Sequence, residues 1–153
     1  MISNTRELLS AILILAGADR TNHSSRSLLD HLLGTYDILR SWKCEESVCI
    51  AGGLHSIYGT NVFKKDSLSI SARPILRNFF SEEAEELAWR FGSVDRPRAI
   101  ENGFGIDWRM GKQITFNGDI LRKLRLIEAA NLLEQGSDIE KWPNIYMTIN
   151  KMI

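Results

Sequence analysis

Three histidines and one asparagine have the types and positions to do chemistry in this chain: His23, His31, His55 and Asn131. Histidine is the side chain whose unperturbed pKa lies nearest neutrality, so two imidazoles brought together can act as acid and base. With Leu28 as angular origin on an ideal helix, Leu39 falls about 20° round, Leu32 about 40°, Thr35 about −20° and His31 about −60°. His31 therefore borders an apolar stripe. His55 lies in Ala51-Gly52-Gly53-Leu54-His55-Ser56-Ile57-Tyr58, on one face with Val48, Ala51 and Tyr58. Small residues one turn earlier let another helix approach, which turns this imidazole inward. A buried histidine needs a partner for each ring nitrogen.

Asn131 supplies one. Along Ile120, Leu124, Ile127 and Asn131 the spacing is four, three, four, an inward stripe on which an amide stands where an aliphatic residue belongs. Burying an amide unpartnered costs about 1–3 kcal/mol, so something polar must meet it, and His31 and His55 are the candidates. Three polar residues on three inward stripes point to one shared pocket. His23 precedes His31 by eight residues, which on a common helix leaves them about 80° and ~12 Å apart. It is expected at a helix start or on the surface.

The elements that must position these residues follow from apolar spacings of three and four. Helices are expected over Thr5–Ala16, from a Ser24 or Ser25 cap to about Trp42, over Glu45–Tyr58, Ser71–Phe80 and Glu82–Phe91, and over Asp119–Glu134 and Ile139–Met152. Ser81 before Glu82 and Glu83 places a capping hydroxyl and negative charge at a helix start. From Gly92 to Asn117 the pattern breaks, with Pro97, Gly103, Gly105, Gly111 and a strand-like Gln113–Phe116. The expectation is one all-α domain over residues 1–153 with a long irregular or hairpin excursion at about 92–117. That excursion, carrying Phe104, Trp108 and Arg109, is the natural lid.

Composition bounds the rest. The 153 residues are 44% hydrophobic and 25% charged, enough to bury a core, and Lys+Arg and Asp+Glu balance at 19 each. The balance excludes a dedicated nucleic-acid binder, which would need a basic face, and is compatible with a homo-oligomer. Cys44 and Cys49 match neither zinc-ribbon nor disulfide-framework spacing and read as reduced thiols. The apolar run Leu8–Ala18 has no basic leader and is shorter than the ~20 residues a membrane span takes. It reads as a buried first helix. A cytoplasmic protein, with no membrane partner, is the expectation.

The order His31, then His55 in AGGLHSIYG, then Asn131 in LIEAANLLEQ resembles the HD-domain superfamily, most closely the hydrolase domain of guanosine tetraphosphate regulators. Residues 71–94 (SARPILRNFFSEEAEELAWRFGSV) are similar to that domain's middle. The resemblance covers roughly 22–136 and implies a helical bundle whose two histidines and two aspartates bind one metal, commonly manganese. Here Ser56 and Asn131 stand in the aspartate positions, and Gly59 and Thr60 match the acidic pair that follows the metal site. Hard cations want carboxylate oxygens, so this set makes a poor metal site. The phrases HLLGTYDILRSW and AGGLHSIYGTNVF are also similar to a family of small helical proteins of unknown function. In that family the serine and the asparagine are the usual residues, which implies an HD-like scaffold turned to another use.

The leading expectation is a pocket that binds or transforms a small polar molecule, phosphate- or carboxylate-bearing ones included, without a tightly held metal or other cofactor. His31 and His55 would be acid and base. Ser56, Tyr58, Thr60, Glu128, Asn131 and Arg26 would line the pocket, with Lys64, Lys65 and Arg73 attracting an anion. One alternative is a metal-dependent phosphohydrolase, with manganese, iron or zinc on His31, His55 and Asn131 and Asp30 or Glu128 as substitute ligand. Another is a structural or interaction module anchored by Trp89, Trp108 or Trp142.

Overall fold

The computed structural model describes residues 4–23, 25–59 and 70–152. Along these run α1 (Thr5–Leu15), β1 (Asn22–His23), β2 (Arg26–Ser27), α2 (Leu28–Ser41), α3 (Glu46–Leu54), α4 (Arg73–Phe79), α5 (Glu82–Phe91), α6 (Arg98–Asn102), β3 (Phe104–Asp107), β4 (Lys112–Thr115), α7 (Gly118–Glu134) and α8 (Pro143–Asn150). Three helix starts are fixed by short polar side chains that take a free backbone N–H of the first turn. Ser27 accepts from Asp30 N at 3.1 Å, Ser81 from Ala84 N at 3.1 Å, and Asn117 from Ile120 N at 3.0 Å.

The all-α expectation is overturned by two small antiparallel sheets among the described residues. In the first, Asn22 pairs with Ser27 and His23 with Arg26. Because Ser27 takes the capping role, α2 begins later than a Ser24 or Ser25 cap would allow, and the chain before it folds back as a ribbon. Ser24 itself lies outside the described residues. Two-residue strands are too short to show a period of two, so the apolar pattern carried no sign of them. In the second sheet Phe104–Asp107 pairs with Lys112–Thr115, one residue earlier than the strand-like phrase. Gly105 conceals the alternation of β3 and is required there: a Cβ would lie 2.7 Å from that of Ala99 on α6.

The core lies where α2 packs on α3 and α7, with α5 on the other side of α3. Two adjacent glycines make α3 thin. A Cβ on Gly52 would run into the Leu39 side chain of α2, and one on Gly53 into Leu9 of α1. α1 is one-sided, not buried throughout: Leu9 and Leu13 face the core while Ile14 and Leu15 are exposed. Cys44 and Cys49 are free thiols, and burial pushes Cys49 up to about 12. Among the described residues no helix is long and apolar enough to cross a membrane.

The 92–117 excursion is fastened down. Trp108 Nε1 donates to Gly92 O at 2.5 Å, Trp108 N to Ser93 O at 2.9 Å, and Arg109 Nη1 to Trp89 O at 2.8 Å. These bonds hold the β3–β4 hairpin against the end of α5.

Candidate functional site

His31 on α2 is fully buried and bonded at both ring nitrogens. Nδ1 lies 2.7 Å from Glu134 Oε1, while Nε2 lies 2.8 Å from Asn131 Oδ1 and 3.3 Å from His55 Nε2. The His31 and His55 rings meet edge to face, with centroids 5.1 Å apart. His55, just past α3, has its Nδ1 2.6 Å from the Gly52 carbonyl. A carbonyl only accepts, so Nδ1 carries the hydrogen and Nε2 presents a lone pair when the ring is neutral. Asn131 is oriented from its other end: Nδ2 donates to Glu128 Oε1 at 2.8 Å, which leaves Oδ1 facing His31.

An outer layer of charge holds this centre. Glu128 accepts from Arg96 Nη1 at 3.1 and 3.2 Å, and the Arg96 guanidinium lies over Phe91 at 4.1 Å. Arg96 Nε is buried and meets no acceptor among the described residues. Glu134 Oε1 is shared between His31 and Arg26. Gln135 Nε2 donates toward Asn131 Oδ1 at 3.3 Å and to His23 Nε2 at 3.0 Å. His23 stacks on His31 at 4.2 Å, the planes 16° apart.

Burial pushes the His55 imidazole well below its ordinary value, helped by His31 and Arg96. Burial also lowers His31, against the pull of Glu134 and Asn131. His23 is lowered by burial and by His31. Outside these rings, a cavity of about 290 Å³ is lined by His23, Ser25, Arg26, Glu134, Gln135 and Gly136. Glu134 belongs to both, forming cavity wall on one side and holding His31 on the other.

The structure thus brings together His31, His55, Asn131, Glu128 and Arg26. Ser56 is buried beside His55 in the chain. Tyr58 turns to a second cluster, donating to Glu85 Oε2 at 2.8 Å. There Arg73 and Arg77 also bind Glu85, and Arg73 and Arg109 lie over Trp89 at 4.0 and 3.8 Å. Arg73 is thereby committed to Glu85 and Glu86. Thr60, Lys64 and Lys65 lie outside the described residues.

Four members escaped sequence reasoning. Glu134 and Gln135 had a signal, since extending the Ile120–Asn131 stripe by three or four residues lands on them. His23 was set aside on the assumption of one continuous helix, which the β1–β2 ribbon breaks. Arg96 lies in an irregular turn where no periodicity could assign a face.

Among the described residues no three His, Cys, Asp or Glu side chains form a metal-binding group. The converging donors are two imidazole nitrogens and an amide oxygen, and both neighbouring carboxylates are ion-paired to arginines. Manganese or another hard cation does not fit that set. A family model described as a domain of unknown function (DUF6817) matches residues 12–96, more than half of the chain. The match takes in His23, His31, His55 and Arg96, while Glu128, Asn131 and Glu134 lie beyond it. No curated protein and no solved structure matches, and the HD-domain superfamily does not emerge from these comparisons.

Proposed function

The chain belongs to the DUF6817 family, and from that premise we propose that it binds or transforms a small polar molecule at the His31–His55–Asn131 centre, without a tightly bound metal. One observation carries this reading. Two imidazole Nε2 atoms stand 3.3 Å apart beside an amide oxygen, and Glu134, bonded to His31 Nδ1, forms part of the wall of an open cavity of about 290 Å³. That volume suits a small ligand better than a drug-sized one. Arg26, whose side chain is 44% exposed, stands at the cavity to meet a carboxylate or phosphate, the fork of a guanidinium matching either. Imidazoles beside such a ligand can take or give a proton. The spacing of His31, His55 and Asn131 supports an HD-like ancestry for the site, as part of the same proposal.

The test is a titration of the isotope-labelled chain with acetate and with inorganic phosphate, followed by NMR. Saturable shifts at His23, Arg26 and Gln135 are expected, and are lost in His31→Ala and His55→Ala with the fold intact. Binding retained in both variants would sink the proposal.

A further inference from the structure

A second cavity lies at the opposite end of α7 from Glu134. About 420 Å³ of space opens between the first turns of α7 and the end of α8, walled by Arg122, Arg125, Lys151, Leu126, Met152 and Gly118 among others. At 1.5 Å per residue Arg122 and Glu134 stand about 18 Å apart along the helix. This cavity is therefore separate from the one beside His23. Its wall carries three cations and no carboxylate.

Buried and part-buried cations elsewhere in the chain are met by carboxylates: Arg73 by Glu85, Arg96 by Glu128, and Lys123 by Glu83 and Asp119. Arg125 is built differently. Its Nε donates to Ile100 O at 3.0 Å and its Nη2 to Glu101 O at 2.7 Å, both neutral carbonyls. The Glu101 carboxylate is spent on the start of α8, accepting from Asn144 N at 2.8 Å and Ile145 N at 3.0 Å. Burial lowers Arg125 below its ordinary value, against the pull of Glu101. Taking a charge out of water without a counter-charge is costly, and an anion in the cavity would offset that cost. Lys151 also has no ion pair among the described residues. Arg122 is the exception, since Glu45 and Asp119 hold its Nη2.

The backbone adds charge of the same sign. Asn117 takes Ile120 N with its side chain and Leu121 N with its carbonyl, which leaves the Gly118 N–H at the positive end of the α7 dipole. No side chain crowds that end: even a Cβ on Gly118 would touch nothing within 4 Å. At the end of α8, Lys151 N and Met152 N donate to Met147 O and Ile149 O, so those carbonyls are already occupied. Beside the cations stand two apolar side chains, Leu126 in the core and Met152 at 40% exposure.

We propose that this cavity is a second binding site and that it takes a small organic anion. Its carboxylate or phosphate group meets Arg125 and Lys151, and its apolar body lies against Leu126 and Met152. The volume suits a ligand of modest size. The site shares no residue with the histidine centre and does not depend on it.

The test titrates the isotope-labelled full chain with phenyl phosphate and follows it by NMR. Saturable shifts are expected at Gly118, Arg125 and Lys151, and they persist in Arg26→Ala, which disables the cavity beside His23. Lys151→Gln weakens binding about threefold, and Arg125→Gln about tenfold or more. Because Arg125 also ties α7 to α6, the exposed Lys151→Gln carries the test if Arg125→Gln unfolds. Inorganic phosphate binds more weakly than phenyl phosphate, and benzyl alcohol, which has a ring and no charge, gives no shift at the same concentration. Absence of saturable shifts at the three residues, or a Kd unmoved by Lys151→Gln, overturns the site. Equal binding of benzyl alcohol overturns the anion assignment, and equal binding of inorganic phosphate overturns the role of the apolar wall.

Discussion

Two polar clusters share the core, and they are built on opposite rules. Around Glu85, a fully buried carboxylate is met by the Tyr58 hydroxyl, Arg73 and Arg77, and Glu86 takes up further contacts from Arg73, Arg77 and Arg90. Every strong acceptor there has a donor. Around His31 the central contacts run between two imidazole rings and an amide, and the carboxylates and guanidiniums stand one layer out. Burial pushes the Glu85 carboxyl up, but Arg73, Arg77 and Tyr58 hold it below its ordinary value. At the histidines burial prevails and both rings are driven toward neutrality. A satisfied cluster fixes a fold. One built around imidazole rings can change its charge as pH falls.

That contrast can be broken most easily at Glu85. Glu85→Ala strips three donors of their acceptor and should cost about 3 kcal/mol, read from the midpoint of chemical unfolding. A cost close to zero would mean the two clusters do not differ in kind.

The next largest effect is a pH dependence that separates them. His31 and His55 have folded values below the ordinary 6.5. The unfolded chain therefore binds protons that the folded one refuses, and stability falls as pH drops below about 6.5, by up to about 1.4 kcal/mol per pH unit for each ring. Glu85, depressed from 4.5, adds stability present above its unfolded value and lost only in more acidic solution. Unfolding curves between about pH 8 and pH 5 therefore sense mainly the histidines, His23 included because burial lowers it too, and His55→Leu should flatten them in part.

Smaller still is Asn131→Leu, which removes a buried hydrogen-bond partner of His31 and Glu128 and should cost about 1 kcal/mol. A loss as large as that of Glu85→Ala would show the histidine cluster to be structural too. Smallest is Arg26→Ala, expected to cost about 0.5 kcal/mol because the pair is part-exposed, while weakening acetate binding measurably in the same titration.

Much of the histidine cluster was legible in the chain itself. His31 and Asn131 sit on helices long enough for the 3.6-residue period to assign a face, and two glycines before His55 announced a close helix approach. Glu134 continued a stripe already in view. What stayed hidden lies where periodicity has no purchase: the two-residue strands that lay His23 on His31, and the turn that carries Arg96. Tyr58 shares a helical face with His55 in the ideal pattern, yet α3 stops at Leu54 and the following turn rotates its ring toward Glu85. The capping residues Ser27, Ser81 and Asn117 show the same divide. Ser81 was read correctly because acidic residues followed it, whereas Ser27 competed with two serines nearby.

The glycine pair of α3 also gives the molecule a gauge. Gly52 is pressed against Leu39 of α2 and Gly53 against Leu9 of α1, so α3 works as a shim whose thickness is one bare backbone. Gly52 also supplies the carbonyl that His55 holds. A single methyl added on either side would wedge the helix outward and carry His55 away from His31, with every polar residue of the centre still in place. The spacing of the two imidazoles is therefore set by residues that have no side chain, and it can be retuned without touching a residue that does chemistry.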